Sequence, residues 1–270
     1  MSKRPSKVPT LEPSRKRIER AKHHLTEFKR DIESRGANRE YGVFPEGDEK
    51  TGEQVLRAKL PFDLRLTWGL MVGDVTHSLR SALDNLIWQL VLANGRDPTF
   101  QRNSFPIFLD VAKYGADIGT SLAGVRRDAA THIEGLQPYH ARNAPEHEPL
   151  WLLHDLDNWD KHRVPNMALI DIMVARFRLL EDSTQVDLRS IVEKGMRKGP
   201  FQDGAEVARF SLPEIPPKPP FNVGVEYQFD ARIAFEQGGP GKGHPVLDFL
   251  DALTVLIDQT VNDFAVYFPP

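Results

Sequence analysis

The stretch LRLTWGLMVGDVTHSLRSALDNLIWQLVLAN, Leu64–Asn94, contains neither lysine nor glutamate. Its leucines return every three or four residues, which places Leu79, Leu83 and Leu86 on one side of a helix. An exposed helix normally carries Lys and Glu on its solvent side. The other side of this helix carries shorter polar groups and an aromatic ring instead: Asp74, His77, Arg80, Ser81, Asp84, Asn85 and Trp88. We therefore predict a long central helix whose polar side is covered by other protein, since buried polar groups must be paired.

Two spacings on this polar side suggest specific interactions. Arg80 and Asp84 are four residues apart, so an ion pair within the helix is expected. Asp74 and His77 are three residues apart, a carboxylate-to-histidine spacing that metalloprotein bundles use. The alternative is a polar seam that only fixes how the helix meets its neighbours.

A second polar helix is predicted from LWLLHDLDNWDKHR, Leu150–Arg163, within a helix of about 149–163 that Pro165 ends. One face of it carries His154, Asp157, Asn158 and Lys161, with His162 at the edge. Because Asp157 and Lys161 are four residues apart, they are expected to pair. The alternative is an ordinary exposed helix end, where basic residues interact favourably with the helix dipole.

If the two polar faces pack together, their side chains line one cleft. The predicted ligand-binding residues are His77, Arg80, Asp84, His154, Asp157, Asn158, Lys161 and Arg163. A phosphate or nucleotide would contact Arg80, Lys161 and Arg163, while Asp84 orients Arg80 and Asp157 orients Lys161. A divalent metal is the alternative ligand. Its predicted ligands are Asp74, His77, His154 and Asp157.

The rest of the chain alternates between helical and strand patterns. We predict helices over 11–34, 125–136 and 245–267, an extended segment over 104–110, and a polyproline connector over 212–221. Strands are predicted over 41–44, 54–59, 167–180, 186–192, 205–212 and 223–235, of which 186–192 fits a short helix equally well. The first two form a hairpin.

These elements predict an α+β fold, a helical bundle with an antiparallel sheet inserted before the C-terminal helix. Residues 1–10 are expected to be a disordered basic tail, and residues 11–270 a single domain. Within that domain the helical part is 11–165 and 244–268, and the β-rich part is 166–237.

Composition narrows the classes of function. The chain of 270 residues has 40% hydrophobic and 27% charged residues, a net charge of −3 and no cysteine, which excludes disulfides and thiolate chemistry. No signal peptide or membrane span is recognisable, so a cytoplasmic protein is predicted. Residues 1–30 hold ten Lys or Arg against three Asp or Glu, and this basic arm suggests an anionic partner.

Four strings carry a resemblance to known sequences: HSLRSALDNLIWQL (77–90), SFPIF (104–108), GLQPY (135–139) and LWLLHDLDNWDKHR (150–163). In this order they resemble a group of uncharacterised bacterial proteins. The LRSALD string ahead of a second polar helix also resembles HEPN-type helical bundles. Some of these are RNA-cleaving toxins or phage-defence nucleases, marked by Arg followed four to six residues later by His on a helix.

The only close match to that catalytic mark is Arg142 with His147, and Pro145 between them predicts a loop. The resemblance therefore implies a HEPN-like bundle without the nuclease pair. Our leading prediction is a module that binds a nucleotide or a nucleic-acid phosphate in the cleft, with added phosphate contacts from the basic arm. The alternatives are a metal-dependent hydrolase or nuclease, and a structural or partner-binding protein that dimerises through its last helix.

Overall fold

A computed structural model describes residues 8–99, 101–161, 163–165, 167–180, 188–211, 224–236 and 238–268, without the side chains of 171–180, 188–191 and 224–230. The predicted polyproline connector, His162 and residues 1–7 of the predicted tail lie outside the described residues. At the start of the described chain, the N–H of Thr10 donates to Gln89 Oε1 over 3.1 Å, so this end of the tail contacts the long helix.

The predicted α+β class is confirmed. The helices are α1 (Glu12–Ala37), α2 (Phe62–Ala93), α3 (Val111–Ser121), α4 (Arg127–Gly135), α5 (Pro149–Asp160), α6 (Leu188–Gly195) and α7 (Val246–Asp263). The strands are β1 (Gly42–Gly47), β2 (Gln54–Lys59), β3 (Met167–Leu180), β4 (Glu206–Phe210) and β5 (Gly224–Phe235). Among the described residues, no helix combines the length and the apolar character that crossing a membrane requires.

The chain forms two compact units. The helical unit contains the residues up to Phe28, Leu70–Pro165 and the residues from Leu247 onward. The β-rich unit contains Lys29–Gly69 and Asn166–Val246. This division differs from the predicted one mainly in Lys29–Gly69, which brings the hairpin β1–β2 into the β-rich unit.

The helical unit is built around the leucine side of α2. Leu79, Leu83 and Leu86 are fully buried, as the helical spacing predicted. Leu11 and the apolar residues of α1 up to Phe28 are also buried: Ile18, Ala21, Leu25 and Phe28. Burying such stripes is the main source of stability for helices of this length.

Within the described residues, two antiparallel sheets take the place of the single predicted sheet. In the first, the order β1–β2–β4 pairs Leu56 with Ala208, so the hairpin joins a strand about 150 residues later. In the second, β3 pairs with β5. Of the two readings of 186–192, the helical one is correct, because α6 occupies Leu188–Gly195.

The sequence prediction missed helix α3. Its start is fixed by Asp110, which adopts extended backbone geometry and accepts a hydrogen bond from the N–H of Lys113. Gly115 and Gly119 lower the helix propensity of this segment and hid it from the sequence prediction. Together with the extended residues 104–110, α3 forms one side of the candidate site.

Candidate functional site

The polar faces of α2 and α5 meet, as the cleft hypothesis required. His77 Nδ1 lies 3.3 Å from Asp157 Oδ1, and Lys161 Nζ lies 2.8 Å from Asp157 Oδ2. Asp157 is buried, with 4% of its surface exposed. Two basic groups therefore hold a buried carboxylate, and the predicted Asp157–Lys161 pair is confirmed.

One turn before His77 on α2, Gly73 lets α2 and α5 approach each other closely. A Cβ atom at Gly73 would lie 2.3 Å from Asp160 Oδ1, so only glycine leaves room for that carboxylate. Burial raises the pKa of Asp160, and the negative charges of Asp157 and Asp74 raise it further. The carboxylates of Asp74, Asp157 and Asp160 therefore lie near one another where α2 meets α5.

The prediction that the polar side of α2 is covered was wrong at its N-terminal end. Asp74 and His77 are exposed, and 63% of the His77 side chain is accessible to solvent. From Arg80 onward the polar side chains named above are half-buried, and residues 104–110 contact two of them, Arg80 and Asp84. The covered part of the face is therefore the part around Arg80.

Arg80 is held by two neighbouring groups. Its Nη2 donates to the carbonyl oxygen of Phe105 over 2.6 Å and lies 3.1 Å from Asp84 Oδ1, which confirms the predicted ion pair. Its Nη1 is buried and has no hydrogen-bond partner among the described residues. A buried guanidinium nitrogen without an acceptor costs stability unless another molecule supplies one.

The extended segment beside Arg80 is held by side chains. The N–H of Phe105 donates to Asp84 Oδ1 over 2.9 Å. Gln137, which is buried, donates to the carbonyl oxygen of Pro106 over 2.8 Å and accepts from the N–H of Phe108 over 3.1 Å. These residues supply the hydrogen bonds that a neighbouring strand would normally supply.

His154 is neutral at physiological pH. Burial, followed by the nearby positive charge of Arg80, lowers the pKa of His154 to about 4. The side-chain amide nitrogen of Asn158 lies 2.9 Å from His154 Nε2, which makes Nε2 an acceptor and places the ring proton on Nδ1. The ring of Trp151 lies 5.2 Å from that of His154, centroid to centroid.

These residues surround a cavity of about 390 Å³, here called the Arg80 cleft. Its lining combines Arg80, residues 104–110, Lys113 and Asp117 of α3, and Trp151 and His154 of α5. The charged groups on α3 and the indole of Trp151 were not predicted. The helix-capping residue type at Asp110 was a sequence signal that could have revealed α3.

Only Arg80 and His154 of the predicted ligand-binding residues line this cleft. His77, Asp84, Asp157, Asn158 and Lys161 contact one another or the lining residues from outside it. The guanidinium of Arg163 lies over the ring of Trp159, 5.2 Å from its centroid. The predicted phosphate contacts from Lys161 and Arg163 therefore do not extend to the cleft lining.

The metal alternative gains no geometric support. In the part of the chain that the structure describes, no group of three or more His, Asp or Glu is arranged to hold a metal ion. That part includes the predicted ligands Asp74, His77, His154 and Asp157.

The predicted basic arm is largely the helix α1. Lys22 Nζ lies 2.6 Å from Asp258 Oδ2 of α7, and Arg15 donates to Asn262 of the same helix over 2.9 Å. These contacts fix part of the arm's positive charge at the surface of the helical unit.

The HEPN-type pair is not helical. Ala144 has a left-handed backbone conformation, and a short 3-10 turn follows at Pro145–His147. The stretch from Arg142 to His147 is thus a loop with one tight turn, as Pro145 predicted. Comparisons of the chain with protein-family models, curated proteins and solved structures gave no match.

Proposed function

We propose that the protein binds a nucleotide in the Arg80 cleft, with its phosphate on Arg80. The observation that carries this proposal is the guanidinium of Arg80, which lines the cleft and whose Nη1 has no acceptor among the described residues. A phosphate oxygen is the acceptor that a guanidinium binds most strongly. Asp84 and the Phe105 carbonyl group fix the orientation of the guanidinium before a ligand arrives, which limits the entropy lost on binding.

The other lining groups match the remaining parts of a nucleotide. Lys113 is exposed at the cleft and adds a second positive charge near the phosphate. The half-buried indole of Trp151 offers a stacking surface, which suits a nucleobase. Neutral His154 adds an N–H donor at Nδ1, and Asp110 and Asp117 add acceptors for amino groups of a base.

The size of the cleft favours a mononucleotide over a nucleic-acid strand. At about 390 Å³ it lies at the lower end of the range for small-ligand pockets, roughly 300–1,000 Å³. Its lining includes two carboxylates as well as two cations, so it lacks the continuous positive charge that tracks a phosphate backbone.

The test is isothermal titration calorimetry with AMP, GMP, CMP and UMP, using inorganic phosphate and adenosine as separate halves of the ligand. We expect at least one monophosphate to bind more tightly than either half. Arg80→Lys keeps the charge but loses the planar fork, so affinity should fall by about tenfold or more, which corresponds to about 1.4 kcal/mol.

A matched control is Arg126→Lys, because Arg126 is an exposed arginine paired with Asp128 outside the cleft. It should leave the affinity unchanged. If no monophosphate binds at millimolar concentration, or if both arginine variants bind as the wild-type protein does, nucleotide binding in this cleft is wrong.

A structural role for Arg80 and Asp84 is the second candidate. It is favoured by the bonds from both residues to the backbone of Phe105. Under this reading Arg80→Lys lowers the free energy of unfolding and no nucleotide protects the wild-type protein against thermal unfolding. Under the first reading, a bound nucleotide raises the Tm of the wild-type protein.

A further inference from the structure

A row of three polar side chains in contact with one another lies outside the Arg80 cleft. Ser81 Oγ is 3.5 Å from His77 Nε2, and His77 Nδ1 is 3.3 Å from Asp157 Oδ1. The two nitrogens of one imidazole therefore contact a hydroxyl group and a carboxylate. This serine–histidine–aspartate order is the arrangement that activates a serine for nucleophilic attack on many unrelated folds.

The carboxylate end of the row is firmly held. Asp157 is buried, and Lys161 Nζ binds its second oxygen over 2.8 Å. A carboxylate opposite Nδ1 places the ring proton on that nitrogen, so Nε2 faces Ser81 as an acceptor. Contacts of 3.3–3.5 Å are long for formed hydrogen bonds, but such contacts commonly shorten when a reactant binds.

We propose that Ser81 is a nucleophile toward small carboxylic esters, with His77 as its general base and Asp157 as a positioning residue. Ser81 Oγ bonds to the ester carbonyl carbon while its proton passes to His77 Nε2. The bond to the alcohol oxygen then breaks, and the leaving alcohol takes that proton. Water repeats the sequence on the acyl-serine, releasing the carboxylic acid and restoring Ser81.

The setting of Ser81 defines the reactivity to expect. Ser81 lies inside α2, where its backbone N–H belongs to the helix and cannot stabilise an oxyanion. His77 is largely exposed, so only small or activated substrates are positioned well. We expect covalent modification by reactive probes and slow turnover of activated esters, independent of any nucleotide in the Arg80 cleft.

The experiment exposes the full-length protein to an alkyl fluorophosphonate and follows intact mass and peptide mapping. Attack by Ser81 forms an oxygen–phosphorus bond and releases fluoride. We expect one adduct, on Ser81, that is absent from Ser81→Ala. In His77→Ala the labelling rate should fall by at least about tenfold, because a general base contributes on the order of a hundredfold or more.

Two matched controls use exposed residues of α1. Ser34→Ala removes a helical serine without a histidine partner among the described residues. His23→Ala removes an exposed histidine that lies 3.4 Å from Glu27 Oε1, and within the described part of the chain no serine hydrogen-bonds to this imidazole. Neither variant should change the rate of labelling.

The positioning role of Asp157 is tested by non-additivity. Asp157→Asn alone should slow labelling, but His77→Ala/Asp157→Asn should label no more slowly than His77→Ala, since Asp157 acts only through His77. The proposal fails if wild-type protein gains no adduct, if the adduct forms on another residue, or if His77→Ala labels Ser81 at the wild-type rate.

Discussion

Arg80 of α2 donates from Nη2 to the backbone carbonyl oxygen of Phe105 over a distance of 2.6 Å. The N–H of Phe105 donates over 2.9 Å to Oδ1 of Asp84, which lies one helical turn further along α2. One residue of an extended segment therefore has both backbone polar groups satisfied by an ion pair on a helix. The same ion pair positions the guanidinium in the Arg80 cleft.

Asp84→Ala should lower the free energy of unfolding by about 1–3 kcal/mol, because it leaves the buried N–H of Phe105 without an acceptor. Urea denaturation measures the change. Asp128→Ala is the control, since Asp128 pairs with Arg126 at the surface and such pairs contribute little. An equal effect of both variants would contradict the importance of the Phe105 contact.

Gln137→Leu should destabilise the protein by about 2–4 kcal/mol, since the carbonyl group of Pro106 and the N–H of Phe108 would both lose buried partners. The same denaturation experiment applies. Gln202, an exposed glutamine that bonds to Glu236, provides the control variant Gln202→Leu. If Gln137→Leu lowers the free energy of unfolding by less than Gln202→Leu does, water replaces the contacts of Gln137.

The hydrogen bonds to Phe105 also show where prediction from the sequence stops. The Arg80–Asp84 pair was predictable because four residues always bring two side chains together on a helix. Phe105 as their shared partner was not, because it lies 21 residues beyond Asp84 on a segment without periodicity. Side-chain bonds to irregular backbone leave no repeating pattern in the sequence.

Long-range strand pairing was unpredictable for a related reason. The strand β2 was predicted with its correct bounds from its residue types, but its pairing with β4 depends on the whole fold. The helix α6 was ambiguous because Leu188, Ile191 and Val192 suit a helical stripe as well as a strand. Likewise, Lys113 and Trp151 could be assigned to the cleft only after α3 and α5 had been placed.

Gly73→Ala should fail to give the stability that alanine usually adds to a helix. Its Cβ would meet Asp160 Oδ1 at 2.3 Å, so the half-buried carboxylate must move. Gly115→Ala in α3 is the matched control, because nothing lies within 4 Å of its Cβ and a gain of up to about 1 kcal/mol is expected.

The double variant Gly73→Ala/Asp160→Ala separates the clash from other effects. Removing the carboxylate should restore the gain from alanine at position 73, and the coupling energy from the four urea denaturation curves measures the clash. If Gly73→Ala stabilises the protein as much as Gly115→Ala does, the close approach of α5 at this point is wrong.

Acid should destabilise the protein through His154. The pKa of His154 is about 4 in the folded protein and near the ordinary histidine value of 6.5 in the unfolded chain, so below pH 6.5 the unfolded chain gains the proton first. Stability is therefore complete above pH 6.5, declines as the pH falls, and stops declining near pH 4. The loss should be about 1–2 kcal/mol, allowing for the partial exposure of the ring.

The variant His154→Gln isolates this contribution because glutamine does not titrate. The raised pKa values of Asp155 and Asp160 act in the opposite direction and cancel in the difference between the two proteins. As the pH is lowered from 7 to 4.5, the urea midpoint of the wild-type protein should fall relative to that of His154→Gln. Parallel curves for the two proteins would contradict a neutral, partly buried His154.

Because side chains hold residues 104–110, the position of this wall of the Arg80 cleft is not fixed by the register of a sheet. A strand within a sheet keeps its buried face only if it shifts by two residues at a time. This segment is tethered by the side chains of Arg80, Asp84 and Gln137, whose lengths can change one carbon at a time. The width of the cleft thus depends on the lengths of these side chains, so a substitution such as Asp84→Glu or Gln137→Asn would change it by one carbon–carbon bond without repacking the leucine core.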